Sequence, residues 1–180
     1  MDEALISIKP TYVSKLISGE KSVEIRNRAV NLSPGSRLWI YSTLPKGSIE
    51  AVAEIHRVVA GHPLDIWHRY SSMLAVSEGE FGHYVNGSNN ISAIIMKHVW
   101  RLPVEVPLSL LRLHVPRFQP PQFLKYKREI DPSFSAIVDL VCRGSCKEFM
   151  NEIGLTHNSK GNDMHRTNHG PNQKILFFND

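Results

Sequence analysis

Short apolar runs typical of β-strands, some alternating and one apolar on both faces, recur through the first 110 residues, and they constrain the fold more than any other feature. The runs cover residues 4–9, 21–26, 37–42, 49–58 and 91–102. In the fourth run, Ile49, Ala51, Ala53 and Ile55 fall on one face. Small residues on an inward face suit a tightly curved sheet, because bulky side chains from every strand would collide there. The pattern therefore predicts a small curved sheet or barrel.

Short helices are predicted between and after these strands. The segments cover residues 10–19, 63–70, 77–85, 131–144 and 145–154. The first begins with Pro10 and ends with Gly19, and the third opens with Ser77 and Glu80 in the spacing of a capping box. The same spacing recurs at 145–148. The last two segments predict a helical hairpin that packs on the barrel. Pro103 is predicted to end the strand at 91–102.

Length and charge narrow the class of protein. A chain of 180 residues supports one domain or one domain with a short appendage. No apolar run approaches the roughly 20 residues that span a bilayer, and the first residues lack the pattern of a secretory signal. Only two cysteines are present, which fits a reducing compartment. These features predict a cytoplasmic protein, and the net charge of +4 favours a polyanionic partner.

The segment from Gly19 to Arg26 has the form G-x-K-x-x-E-x-R. The Lys21 ammonium and the Arg26 guanidinium are donors for a phosphate or a base carbonyl, and the Glu24 carboxylate accepts from an exocyclic amine. Glu24 and Arg26 are two residues apart and share a strand face. We expect Lys21 to join them, because it follows the turn at Gly19 before the regular pleat begins. The three side chains predict a site that recognises polar edges.

This octet, preceded by Ile6-Ser-Ile-Lys-Pro10 and followed by a strand at 37–42, resembles the ASCH domain of the PUA-like superfamily. The likeness runs from about residue 4 to about residue 126. It implies an α+β fold, a small mixed PUA-like β-barrel of the ASCH type with flanking short helices and a C-terminal helical extension. The expected organisation is a barrel domain at 1–129, the helical extension at 130–155 and a loose polar, His-rich tail at 156–180.

The resemblance also implies a cleft that binds RNA or a nucleotide-like small molecule. The ligand-binding residues that it implies are Lys9, Lys21, Glu24, Arg26, Tyr41 and Ser42. Three hypotheses stay open. The first is an RNA- or nucleotide-binding protein, and the second is a small hydrolase, either a ribonuclease or an amidohydrolase acting on a modified cytidine. The third is a regulatory protein whose helical extension contacts a partner. The oligomeric state is left open.

If the protein is an enzyme, the catalytic residues implied are Lys21 and Glu24, with Glu80 and Ser42 as weaker choices. Family members that are similar to acyl-cytidine hydrolases use a lysine, a hydroxyl residue and a distant acid. Glu24 stands where that hydroxyl is expected, so Ser22 or Ser42 would have to supply it. Glu80 is the nearest residue for the acid, and its competing role is to cap the helix that begins after Ser77.

A second basic segment lies outside the octet. Cations and aromatic residues are interleaved there, as on surfaces that bind single-stranded nucleic acid. The predicted surface consists of Arg117, Phe123, Lys125, Tyr126, Lys127 and Arg128. The alternative is a proline-rich connector whose aromatic residues plug the barrel and whose cations are only solvated.

Two cysteines and two histidines have a superficial likeness to a zinc site. Cys142 and Cys146 are followed by His165 and His169. The separation between the pairs is long for a zinc finger, and the histidines lie in a polar segment that has no core of its own. We therefore predict no metal and no cofactor.

Overall fold

Six strands and six helices occupy residues 2–155, the part of the chain that the structure, a computed structural model, describes. The strands are β1 (Glu3–Ile8), β2 (Val23–Arg26), β3 (Arg37–Ser42), β4 (Ser48–Gly61), β5 (Ile91–Pro107) and β6 (Leu124–Tyr126). The helices are α1 (Pro10–Ser18), α2 (Pro63–Leu74), α3 (Glu78–Val85), α4 (Leu108–His114), α5 (Pro132–Arg143) and α6 (Lys147–Glu152). None of these helices is long and apolar enough to cross a membrane.

All six strands form one mixed sheet in the order β2-β5-β4-β3-β1-β6. β1 runs parallel to β3, and every other neighbouring pair is antiparallel. The sheet curls into a half-barrel, so that its two edges approach each other. Across this gap, which we call the seam, Arg26 Nη2 donates to Ser7 O at 2.8 Å and Asn31 N donates to Tyr126 Oη at 2.9 Å.

Small side chains allow the sheet to curve against α1. Ala51 and Ala53 of β4 are fully buried in a cluster that also contains Ile6, Ile40 and Ile94 from three other strands. Val13 and Leu16 on one face of α1 complete this cluster. The prediction of a curved sheet with Ala51, Ala53 and Ile55 on an inner face is therefore confirmed. Ile49 was expected on that face but packs on the opposite one, because the strand pairing shifts register between Ile49 and Ala51.

The opposite sheet face packs against the C-terminal helices. Phe134 of α5 is fully buried in a second cluster with Leu5, Trp39 and Val52 of the sheet, and Met150 of α6 joins it. The predicted helices are present and pack on the sheet. Both helices share a core with the strands. The domain boundary at residue 129 stays a prediction. The predicted loose tail at 156–180 lies outside the described residues.

A third cluster fixes the helices that follow β4. Ile66 and Tyr70 of α2 and Phe81 of α3 pack on Ile25 of β2 and Ile91 of β5. This packing places the C-terminal end of α2 and the first turns of α3 beside the octet.

Two sequence-based expectations were wrong, and two elements were missed. Pro103 does not end β5, because residues 102–105 bulge out of the ladder opposite Glu50, and a bulge tolerates a residue without an N–H donor. The second capping box does not form: Cys146 is the N-cap of α6 and its side chain makes no capping hydrogen bond. The short elements α4 and β6 were not predicted.

Candidate functional site

A cleft of about 620 Å³ opens beside the octet, a volume in the range of small-molecule and nucleotide pockets. Its walls come from β1, α1, β2, α3 and the segment before β6. The lining residues are Ser7, Ile8, Lys9, Tyr12, Lys21, Glu24, Ile25, Arg26, Thr43, Leu74, Val76, Glu80, Phe81, His83, Tyr84, Pro120, Pro121 and Gln122.

Lys21, Glu24 and Arg26 form the floor of the cleft. Lys21 Nζ lies 3.3 Å from Glu24 Oε2, and Arg26 Nη2 lies 3.1 Å from Glu24 Oε1. Their side chains are 4%, 12% and 9% exposed, in that order from Lys21 to Arg26. Regular pairing of β2 begins only at Val23, so Lys21 escapes the strand alternation and shares the face of the other two. The predicted convergence of these side chains is therefore present.

Hydrogen bonds to backbone carbonyls of two helices hold Lys21 in place. Gly19, at φ +80°, ends α1, and Lys21 N then donates to Lys15 O at 2.9 Å. Lys21 Nζ donates to Leu74 O at 3.0 Å, where a helix C-terminus favours a cation. Burial lowers the pKa of the Lys21 ammonium, and the Glu24 charge opposes that shift. A desolvated lysine of this kind is better suited to proton transfer than a surface lysine.

Arg26 connects the cleft floor to the seam. Its Nη2 group donates a hydrogen bond to Ser7 O and forms the ion pair with Glu24 Oε1. Its Nε atom is buried without a hydrogen-bond partner among the described residues. The guanidinium carbon lies 6.0 Å from the centroid of the Phe123 ring, within the range of a cation–π contact.

Apolar and aromatic side chains cover the walls above this floor. Tyr12 lies with its ring centroid 5.5 Å from Lys21 Nζ, and Tyr84 Oη donates to Ile25 O at 3.2 Å. Phe81, Pro120 and Pro121 complete the apolar part. Flat apolar walls over a polar floor suit a planar ligand with hydrogen-bonding groups along one edge.

Glu80 has the capping role that the sequence suggested, and it also lies at the cleft, where its role as a catalytic acid stays a prediction. It forms the capping box of α3: Ser77 N and Ser77 Oγ each donate to Glu80 Oε2 at 2.8 Å. These hydrogen bonds lower the pKa of the Glu80 carboxyl group. The side chain is exposed and lines the cleft. Lys9 is also exposed at the cleft rim, as predicted, at the start of α1.

Tyr41 and Ser42 do not line the cleft, contrary to expectation. Tyr41 is 3% exposed and points into the cluster between the sheet and the C-terminal helices, because strand alternation sends it to the face opposite Ile40. Ser42 is fully buried. The next residue, Thr43, lies in the cleft wall instead.

Sequence reasoning missed several polar and aromatic lining residues, among them Ser7, Tyr12, Thr43, His83, Tyr84 and Gln122. The apolar pattern assigned Tyr12 and Tyr84 to the packed faces of helices. Ser7 had a usable signal, since strand alternation in β1 separates it from its buried neighbours Ile6 and Ile8.

The predicted second basic surface is largely engaged within the protein. Lys125 Nζ lies 3.1 Å from Asp131 Oδ1 and 2.8 Å from Ser133 Oγ, and Lys127 Nζ lies 3.6 Å from Glu3 Oε2. The remaining members differ: Phe123 is half-buried, Tyr126 hydrogen-bonds at the seam, and Arg117 and Arg128 are exposed. The six residues therefore do not form one free cationic face.

The cysteines Cys142 and Cys146 are both free thiols. Among residues 2–155, no three His, Cys, Asp or Glu side chains lie close enough together to hold a metal ion. His165 and His169 lie outside the described residues.

Comparison with known proteins identifies the family. A family described as "Domain of unknown function (DUF365)" matches residues 5–109. A Zymomonas mobilis protein named "ASCH domain-containing ribonuclease" is 33% identical over 129 residues, which are 71% of this chain and 85% of that protein.

Solved structures agree with this assignment. The crystal structure of ASCH from Zymomonas mobilis has a TM-score of 0.70 and 30% identity, covering 77% of this chain and 94% of that chain. A hypothetical protein from Leishmania major, with a TM-score of 0.50 and 12% identity over 79% of this chain and 96% of its own, shares the fold. The chain therefore belongs to the ASCH domain family, with the PUA-like α+β half-barrel, and its residues 5–109 belong to the family described as DUF365.

Proposed function

We propose that the cleft binds single-stranded RNA by holding one nucleotide over the floor formed by Lys21, Glu24 and Arg26. The observation that carries this proposal is the placement of three buried charges beneath apolar and aromatic walls. A nucleobase has the matching shape, because its two faces are apolar and its edge carries donors and acceptors. Single-stranded RNA presents such edges freely.

The floor retains hydrogen-bonding capacity for a ligand. A carboxylate has about four acceptor positions, and within the described residues Glu24 contacts one nitrogen of Lys21 and one of Arg26. The ammonium has three donors, of which one serves Leu74 O and one faces Glu24. The cleft thus offers both an acceptor and donors to the edge of a base, which is the requirement for direct reading of a base.

The rim supplies positive charge for the phosphate. Lys9 is exposed at the cleft rim, and Lys21 with Arg26 outweigh Glu24 by one charge at the floor, while the Glu80 carboxylate lies exposed at the same cleft. Contacts of this kind position a nucleic acid without selecting its sequence.

Ribonuclease activity is the second function that we propose for the same cleft. The relative that is named a ribonuclease supports it. In such a step the ribose 2′-oxygen attacks phosphorus, the bond to the 5′-oxygen breaks, and a proton moves from the 2′-hydroxyl to the leaving group. Lys21 and Arg26 would stabilise the charge on phosphorus, and Glu24, Glu80 or His83 would take the proton.

The amidohydrolase hypothesis has less support. It required a hydroxyl group from Ser22 or Ser42, and neither side chain lines the cleft. The regulatory hypothesis stays a proposal, since α5 and α6 direct their apolar faces to the sheet rather than outward.

Replacing Lys21 with alanine is expected to raise the Kd for single-stranded RNA at least tenfold, because a cation at the floor is lost. Fluorescence anisotropy with a labelled RNA 12-mer measures this change. Lys97→Ala is the matched control: it removes an exposed lysine that pairs with Glu54, outside the cleft, and should change Kd less than twofold. A larger loss from Lys127→Ala than from Lys21→Ala would contradict the cleft proposal and favour an open surface.

The same samples test for cleavage. We expect wild-type protein to yield fragments that end in a cyclic 2′,3′-phosphate, and Lys21→Ala and Glu24→Ala to reduce that rate at least a hundredfold. Parallel reactions with a chelator show whether a divalent cation contributes. If RNA is bound but never cut, the proposal of RNA binding stands and the proposal of ribonuclease activity is wrong.

A further inference from the structure

The segment that closes the seam carries an aromatic ring directly against the cleft floor. Pro120, Pro121 and Gln122 line the cleft, and the residues after Phe123 form β6, which pairs with β1. We call residues 119–126 the strap. The strap is attached at its start by Arg112, which donates to Phe118 O at 3.1 Å and contacts Gln119 Oε1 at 3.3 Å.

Arg26 depends on several groups for its orientation. On one edge of the guanidinium, Nη2 reaches Ser7 O and Glu24 Oε1. Because Nε is buried without an acceptor among the described residues, no further hydrogen bond fixes the plane of the group. The ring of Phe123 lies 6.0 Å away and supplies the remaining contact. Arg28, which is exposed, lies 5.9 Å from the same ring.

We propose that Phe123 is a positioning residue that holds the Arg26 guanidinium in the cleft floor, so that the hydrogens of Nη1 point to the bound nucleotide. This inference rests on the proposed RNA-binding function. It gives Phe123 a role different from the one expected from the sequence, which was to stack on bases. The ring acts through Arg26, since its negative face attracts the cation and its bulk excludes water from Nε.

A double-mutant cycle tests whether Phe123 acts through Arg26. The four proteins are wild type, Phe123→Leu, Arg26→Gln and the double variant, and the probe is the labelled RNA 12-mer. We expect Phe123→Leu to raise Kd about fivefold in the wild-type background and less than 1.5-fold beside Arg26→Gln. Phe123→Tyr keeps the aromatic ring, so this variant should bind the RNA with wild-type affinity.

Two controls separate this role from loosening of the strap or direct stacking. Arg112→Lys keeps the charge but weakens the attachment of the strap, and it should change Kd less than twofold. An effect of Arg112→Lys equal to that of Phe123→Leu would overturn the proposal in favour of strap stability. A fivefold loss from Phe123→Leu that persists beside Arg26→Gln would overturn it in favour of stacking on the RNA.

A spectroscopic measurement tests the contact without RNA. The buried Nε–H of Arg26 should exchange slowly with solvent and give an observable ¹⁵N-correlated signal at pH 7 in the full chain. Phe123→Leu should speed that exchange at least tenfold, and an unchanged signal would refute the positioning role. If wild-type protein bound no RNA, the RNA-binding proposal would fail, and the Arg26 signal would still decide whether Phe123 positions it.

Discussion

Replacing Glu24 with glutamine is expected to lower the free energy of unfolding by about 3 kcal/mol at pH 7. Glu24 stands between two cationic side chains that are at most 9% exposed. Removing one member of a buried charge group leaves the others without compensation, which costs about 3–5 kcal/mol in comparable cases. Urea denaturation followed by tryptophan fluorescence measures the change.

The pH dependence identifies the cause of that loss. Burial already holds the pKa of Lys21 below its ordinary value of 10.5, and without Glu24 it falls further. At pH values between the pKa of Lys21 in the folded protein and its pKa in the unfolded chain, Lys21 is protonated only in the unfolded chain. The free energy of unfolding therefore rises with pH in this range. The deficit of Glu24→Gln relative to wild type should therefore shrink between pH 7 and pH 10.

A double variant is the control for this explanation. Lys21→Met in the Glu24→Gln protein removes the ammonium that has lost its partner, and it should recover part of the stability at pH 7. A deficit that is independent of pH, together with no recovery in the double variant, would show that Glu24 stabilises the fold by packing rather than by charge.

Phe134→Ala is expected to lower the free energy of unfolding by about 3–5 kcal/mol. Phe134 is fully buried between α5 and the sheet, and deleting a buried aromatic ring removes its transfer free energy and leaves a cavity. Because the helices and the strands share this core, the urea transition should stay single. Ile130→Ala, two residues before α5, is the control: Ile130 is 90% exposed, and the change should stay within about 0.5 kcal/mol.

The number of transitions bears on the domain boundary. Two separate transitions, the earlier one confined to loss of helix, would mean that residues 130–155 form an appendage that unfolds alone. A change of less than 1 kcal/mol in Phe134→Ala would mean that α5 contributes little to the core.

Local patterns were sufficient for most secondary structure. The apolar run of β3 and the Pro10 and Gly19 boundaries of α1 predicted these elements to within one residue, because each depends on neighbours in sequence. The Ser77 capping box was likewise correct. Predictions failed where strand pairing determines the structure. The bulge around Pro103 exists because the single residue Glu50 of β4 lies opposite four residues of β5, and no local pattern indicates that.

The candidate site divides in the same way. The octet placed Lys21, Glu24 and Arg26 together because their spacing around one turn and one strand is a local property. The assignment of Tyr41 failed because its side chain packs under helices that are distant in sequence, and Ser42 is fully buried.

The sequence alone determined most of the strand and helix segments, the curved sheet implied by Ala51 and Ala53, and the charged floor. Only the tertiary structure decided what surrounds that floor. Tyr12 and Tyr84 line the cleft, and Phe123 lies against Arg26 of its floor. These residues come from elements separated by up to about a hundred residues, and the curl of the half-barrel brings them together. Lys125 and Lys127 became structural cations for the same reason, since their acidic partners meet them only after the chain has folded.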